Sequence, residues 1–211
     1  MTIEFVESCD STQTGIISNL KLGIIKPPYC LVANSQSAGL GSRGNAWESV
    51  SGNLYFSFCV SQNALPSDLP MSSASIYFAF LMKEYLANLG SNIWLKWPND
   101  FYLSEKKIGG VITTKIKNAF VCGMGLNLAH APEFAGILDI KVERNSLIYG
   151  FFEMLEKKPS WKQIFSKFSL EFPLSQKFGT HNGCEKISLE NAVLCDDGSI
   201  LINNKKVYSL R

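Results

Sequence analysis

Runs of β-branched and aromatic residues, each closed by Gly, Asn or Pro, alternate along the first two thirds of the chain with stretches of helical period. Strands are expected at 3–6, 30–34, 54–60, 93–97, 110–116 and 119–123. The clearest helix starts at Ser72 or Ser73, both good N-caps, carries Ala74, Phe78, Leu81, Tyr85 and Leu89 at spacings of three and four, and stops at Gly90. That stripe reads as core. Two further helical stretches, 147–157 and 161–170, put Trp161, Ile164, Phe165 and Phe168 on one face, which again reads as packing. After Phe172 and Pro173 the texture changes to short strands and turns at 186–189, 192–195, 199–202 and 206–210. The pattern predicts an α+β fold, with a mixed β-sheet and packed helices over residues 1–173 and a small C-terminal β domain over 174–211 that leans on them.

At 211 residues, 46% hydrophobic and 18% charged, the chain can bury one sizeable core without disulfides or metal. Twenty Lys and Arg against eighteen Asp and Glu leave a net charge of +2, too little to coat nucleic acid, so no nucleic-acid partner is expected. Cys9, Cys30, Cys59, Cys122, Cys184 and Cys195 form no CxxC and read as reduced thiols. The opening MTIEFVESCD lacks the basic and apolar regions of a signal peptide, and the longest apolar run, 76–82, falls far short of a membrane span. A soluble, cytoplasmic protein without a membrane partner is expected. His130 and His181 stand far apart and give little material for a metal cluster or a Ser/His triad, which sets most hydrolase readings aside.

The most informative stretch is QSAGLGSRGNAW, Gln36 to Trp47, a literal GxGxxG at Gly39, Gly41 and Gly44. A dinucleotide fold needs a helix opening at those glycines, whereas here polar residues lead into another strand. What remains is a loop whose exposed amides and Arg43 could wrap an anion, with Trp47 as a flat face for a purine; an ordinary glycine-rich turn also accounts for it. A second stretch, KWPND, runs from Lys96 to Asp100. Pro98 fixes the strand exit, and a hairpin through Ser104, Glu105 and Lys106 returns Lys107 toward Asn99 and Asp100. Gly109 and Gly110 admit a ligand to the backbone, and Lys107 can stabilise negative charge, although a lone lysine or a turn aspartate is also ordinary surface chemistry. Asp10, Ser11, Thr12 and Gln13 follow the first strand, where a helix N-cap explains Ser11 or Thr12 equally well. GMGLN, Gly123 to Asn127, puts glycines and an amide at a strand end, with a β-bulge as the plain account.

In this order, DSTQ, QSAGLGSRGNAW, NLYFS, KWPNDFYLSEKKIGG and GMGLN resemble the signatures of the biotin protein ligases, or biotin–acetyl-CoA-carboxylase ligases, from about Ile3 to Asn127. KWPND followed by KxGG carries most of that likeness. The resemblance implies a class II aminoacyl-tRNA-synthetase-like ligase fold with an SH3-like C-terminal β appendage. It implies that biotin's carboxylate is joined to the α-phosphate of MgATP, releasing pyrophosphate, and that biotin then passes to a lysine of a biotin carboxyl carrier protein. Two anions must meet, a difficulty eased by cations and aligned donors rather than by an enzyme nucleophile.

By the same resemblance Ser11, Thr12, Gln13 and Gln36 hold the ureido head of biotin, and Gly39, Leu40, Gly41 and Ser42 run beside it. Lys107 lies between the carboxylate and the α-phosphate, Arg43 and Gly44 meet phosphate, Trp47 stacks on adenine, Asn127 sits near the nucleotide, and Asn99 and Asp100 orient Lys107 or the waters of Mg²⁺. Lys107, Arg43 and Asp100 form the implied catalytic set. Magnesium rides on the phosphates, so no protein metal ligand is expected. Family analogy adds a homodimer through sheet edges. Two departures stand out. The family loop commonly reads GRGRxGR, whereas Leu40, Ser42 and Asn45 replace three arginines here, so fewer cations hold the loop over an adenylate. The motifs also begin near the tenth residue, which leaves no room for an N-terminal helix-turn-helix, and no operator binding is expected. Lipoate protein ligase, with the same fold and adenylate logic, is the alternative enzyme; a non-catalytic biotin or adenylate-binding module is the alternative from another class.

Overall fold

Strand β1 (Thr2–Cys9) opens the chain, and Ser11 then caps helix α1 (Thr12–Lys21) by accepting the Thr14 amide at 3.4 Å. In order follow β2 (Tyr29–Gln36), β3 (Leu54–Ser61), α2 (Ala74–Asn88), β4 (Trp94–Lys96), β5 (Asp100–Leu103), β6 (Lys106–Ile116), β7 (Ala119–Leu126), α3 (Arg144–Glu156) and α4 (Trp161–Ser175). The C-terminal stretch adds β8 (Gly179–Asn182), β9 (Glu185–Ser188), β10 (Val193–Leu194), β11 (Ile200–Ile202) and β12 (Lys205–Val207). The computed structural model describes residues 1–182 and 185–209, with Arg43 and Asn182 described by backbone alone. Cys184 and the end of the strand expected at 206–210 lie outside the described residues.

The main sheet has seven strands in the order β1-β2-β3-β7-β6-β5-β4, with β1 parallel to β2 and every other pair antiparallel. Helix α1 makes the crossover that a parallel pair requires. Strand alternation decides the layers. Leu54, Phe56, Phe58 and Val60 of β3 and Phe120, Cys122, Met124 and Leu126 of β7 join the large core with α2, α3 and α4. Phe58 meets Phe78 of α2 edge-on at 5.2 Å and Phe151 of α3 at 5.3 Å. On the other face Cys59 and Val121 pack under Ile16 of α1 in a small separate cluster. Burial pushes the Cys30 and Cys122 thiols up, which leaves them neutral packing groups.

Three expectations change. The stripe on α2 is not a stripe: residues are buried around the whole helix from Ala74 to Lys83, because it lies between the sheet and α3 and α4, while Leu89 at its end is exposed. Helix α4 runs past 170 through Pro173 to Ser175, since its last turn covers the edge strand β4: Glu171 accepts the Leu95 amide at 3.3 Å and the Ser175 hydroxyl accepts the Trp97 amide at 3.0 Å. Strand β7 pairs in unbroken register on both sides through Gly123 and Gly125, so the bulge is not at GMGLN; it lies between β5 and β6, where Ile108 of β6 is the extra residue between the partners of Phe101 and Tyr102.

One turn of the C-terminal stretch carries several of the bonds that fasten it. Ser73, free of capping duty, donates to the Asp197 carbonyl; Trp161 Nε1 donates to Asp196 O at 2.7 Å and Trp97 Nε1 to Gly198 O at 2.9 Å. Gly198 has φ +75, and a Cβ there would stand 2.6 Å from the Ser73 hydroxyl. Leu189, Ala192, Ile200, Ile202 and Val207 extend the same large core. No helix among the described residues is long and apolar enough to cross a membrane. Replacing Trp97 by Phe keeps an aromatic ring but loses the indole N–H and some buried volume and strands a buried carbonyl, so Trp97→Phe is expected to lower unfolding free energy by about 1–3 kcal/mol or more in a urea titration. An unchanged midpoint would show that the turn is not held by this bond.

Candidate functional site

A sheet face makes room for a ligand only where side chains are missing. The pairing of four strands sets Tyr55, Gly125, Gly110 and Asp100 on one rung across the sheet, and Ser57, Gly123 and Ile112 on the next cavity-facing rung. Above these glycines lies a cavity of about 860 Å³, closed on other sides by the 36–50 loop and by residues 127–135. Gly110, Gly123 and Gly125 are its floor. A Cβ on Gly123 would stand 2.8 Å from Gln13 Oε1 and 2.9 Å from Ser57 Oγ, and one on Gly125 2.8 Å from the Trp47 indole.

At the Ser57 rung the N-terminus of α1 builds a buried polar end. The Gln36 side-chain oxygen accepts from the Thr12 amide at 2.8 Å and from the Thr12 hydroxyl at 3.0 Å, and the two hydroxyls of Thr12 and Ser57 lie 2.8 Å apart. Gln36 Nε2 donates to Ser49 at 2.9 Å, which ties the loop to this end. Gln13 Nε2 is fixed on the Val121 carbonyl at 3.3 Å, so its Oε1 turns the other way, buried and without a partner. A buried acceptor of this kind is costly unless a donor arrives. Ser11 both caps α1 and lines the cavity.

At the Asp100 rung stands the charge. Lys107 Nζ lies 2.6 Å from Asp100 Oδ1 and 5.6 Å from the Trp47 ring centre, and Lys96 Nζ lies 3.8 Å from Asp100 Oδ2. The hairpin that returns Lys107 is the one the sequence suggested, although Lys107 sits within β6 rather than before it. Asn99 frames the corner, its side chain donating to the Val111 carbonyl and its carbonyl accepting the Val111 amide at 2.9 Å. Lys107 is the one cation among the described side chains that line the cavity, with Asp100 and the more exposed Glu48 and Glu105 as its acidic neighbours. Burial, then the Asp100 charge, pushes the Tyr102 phenol up to about 12, which keeps it a neutral donor on the wall.

Ser11, Thr12, Gln13, Gln36, Gly39, Leu40, Gly41, Ser42, Trp47, Asn99, Asp100, Lys107 and Asn127 all line this one cavity. Gly44 does not; it sits exposed, at φ +76, at the tip of the loop, and the Arg43 side chain lies outside the described atoms. The loop amides also differ from expectation. Leu40 and Ala46 form a bridge, and the amides of Gly41, Asn45 and Trp47 donate to Asn45, Ser42 and Gly39 within the loop, so those three are spent on its own fold. Asn127 is buried and donates to the Gly136 carbonyl at 3.0 Å, a bond that shapes the wall. Sequence reasoning missed Ser57 and Tyr55, although period two from the core residues Phe56 and Phe58 would have put both on the face opposite the core. Among the described residues there is no cluster of three or more His, Cys, Asp or Glu side chains that could hold a metal ion.

A model of the biotin/lipoate A/B protein ligase family matches residues 5–128, which include the whole floor and the polar end. The chain belongs to that family. Within the biotin/lipoate A/B ligases, the biotin acetyl coenzyme A carboxylase synthetase of Helicobacter pylori, solved with bound biotinylated ATP, is similar at TM-score 0.94 and 41% identity over 98% of this chain and 99% of that one. The Aquifex aeolicus biotin protein ligase, solved with biotin and ATP, shares the fold at TM-score 0.77 and 23% identity over 100% of this chain and 96% of that one. The bifunctional ligase/repressor BirA of Escherichia coli is 34% identical over 127 residues, which cover 57% of this chain and 38% of that relative.

The floor makes a sharp demand. Gly125→Ala must displace a rigid indole and is expected to cost about 1–3 kcal/mol of stability with a shift in tryptophan emission, because overpacked rings cannot yield. Gly110→Ala meets the movable end of Asp100 at 3.1 Å and is expected to cost clearly less. Equal losses in urea melts of the two variants would show that Trp47 does not rest on the floor.

Proposed function

We propose that the chain is a biotin–[biotin carboxyl carrier protein] ligase. The observation that carries this reading is the one ammonium among the described cavity side chains, Lys107, set beside Asp100 on a glycine rung one step from a buried hydrogen-bonding end. Neighbouring rungs on one face are about 7 Å apart along a strand, the length of a short aliphatic tail. A ureido head at the Thr12 and Gln36 end could donate an N–H to Gln13 Oε1, and its tail would bring a carboxylate to Lys107. A dithiolane ring has no such donor, which favours biotin over lipoate.

In the first step a carboxylate oxygen attacks the α-phosphorus of ATP, the bond from that phosphorus to the β-bridging oxygen breaks, and pyrophosphate leaves. Lys107 offsets the negative charge that gathers where the two anions meet, and Asp100, on the corner that Asn99 frames, orients it until they arrive. Trp47 and Asn127 serve the nucleotide, and Arg43 and Gly44 in the loop meet phosphate. In the second step a lysine amine of the carrier protein attacks the acyl carbon and AMP leaves. Magnesium arrives with the triphosphate and supplies charge neutralisation there; the chain's own part is to orient and to pair. Residues 1–173 do this chemistry and 174–211 brace it from behind, through the turn that holds Trp97 beside the Asn99 corner. The same reading puts the protein in the cytoplasm and allows β1, an outer strand of the sheet, to pair with a second copy.

Exchange of labelled pyrophosphate into ATP, measured with biotin, with lipoate and with neither, tests the substrate. Exchange with biotin alone is expected, and exchange with lipoate alone would overturn the assignment. Lys107→Ala is expected to slow biotin-dependent exchange by about 10²- to 10³-fold while the melting temperature stays put. An unchanged rate would remove the lysine from the reaction.

A further inference from the structure

We infer that Asn53 is a positioning residue for the nucleotide half of the cavity, an inference that rests on the ligase reading and adds a residue it does not contain. Asn53 stands just before β3 and is 2% exposed. Its Oδ1 accepts three consecutive backbone amides, Leu128 and Ala129 at 2.9 Å and His130 at 3.1 Å, and its Nδ2 donates to the His130 carbonyl at 2.8 Å. One side chain therefore fixes the backbone of the segment leaving β7.

Three successive N–H groups that converge on one point make the geometry of an anion-binding nest. A neutral side-chain oxygen fills this one, so the nest is not a phosphate site and its donors serve to hold shape. The far end of the same segment is pinned to the catalytic hairpin, where the Gly136 amide donates to the Lys107 carbonyl at 2.9 Å and the Asn127 side chain to the Gly136 carbonyl. Pro132, Phe134 and Ala135 lie between these anchors and line the cavity. Arg144 of α3 adds a strut, donating to Asn34 at 2.7 Å and to the Asn53 carbonyl at 3.4 Å. With Asn53 cut back, the 128–130 backbone loses its anchor and the cavity wall at Pro132, Phe134 and Ala135 shifts, whereas the bonds that build the polar end at Thr12, Gln36 and Ser57 run among those residues.

Steady-state exchange kinetics on the full chain test this with Asn53→Ala and Asn53→Asp. Asn53→Ala is expected to raise KM for ATP about tenfold or more, leave KM for biotin within about twofold, and lower kcat less than it raises KM for ATP. Asn53→Asp keeps the shared acceptor but sets an oxygen against the His130 carbonyl, so its KM for ATP is expected to fall between the two, about threefold up. Should Asn53→Ala not fold, Asn53→Asp decides alone by the same split. Equal rises for biotin and ATP, or no rise for ATP in the folded variants, would overturn the inference. An unaltered chain that fails to exchange with biotin would instead sink the ligase reading itself, a separate result.

Discussion

The rung that carries Tyr55, Gly125, Gly110 and Asp100 across the sheet is the constraint on which everything else rests. A seven-stranded sheet buries both faces, and the large core takes one of them. On the other, α1 covers only the part near Cys59 and Val121. Past that point the sheet must either be covered or be left bare, and glycines at 110, 123 and 125 leave it bare over an area large enough to seat a molecule. Because the same strands supply the aspartate and the lysine, floor and charge are set by one hydrogen-bond register. A slip of one residue in β6 would turn Gly110 into the core and point Val111 at the ligand, so the register is fixed by the core and the site inherits its precision.

Much of this was legible. The aromatic runs of β3 and β7 and the turn residues after Lys96 named the strands, and the DSTQ, loop, KWPND-to-KxGG and GMGLN stretches named thirteen of the residues that line one cavity. The rest was not readable for physical reasons. Period two from Phe56 and Phe58 gives the face on which Ser57 lies, but only strand pairing sets it opposite Gly123. Asn53 looks like a turn former because its three amide partners lie about 75 residues further on. The loop amides looked free because nothing in a glycine-rich string says that Leu40 and Ala46 will bridge. Helix α2 looked amphipathic since its spacing fits a stripe, yet its neighbours on every side decide burial. Periodicity reports one layer of packing; a middle layer needs two.

The charge arrangement explains how one lysine can be both held and available. An ion pair that is partly open to water is worth only about 0–1 kcal/mol, so Lys107, with 35% of its side chain exposed, can leave Asp100 for a phosphate or a carboxylate at little cost. Asp100 is the more buried partner and would suffer from losing its counterion. Lys96, at 3.8 Å from the other carboxylate oxygen and almost wholly buried, stays beside Asp100 as a second counter-charge when Lys107 turns away. The triad thus has a fixed cation behind and a movable one in front. In a cavity whose other described acids are Glu48 and Glu105, that arrangement leaves the movable ammonium as the group an incoming anion must meet, and it does so without the three arginines that Leu40, Ser42 and Asn45 replace. What those arginines would have added is electrostatic hold from the loop, where Arg43 alone keeps a guanidinium; the hold that the described side chains supply comes from the sheet, at Lys107.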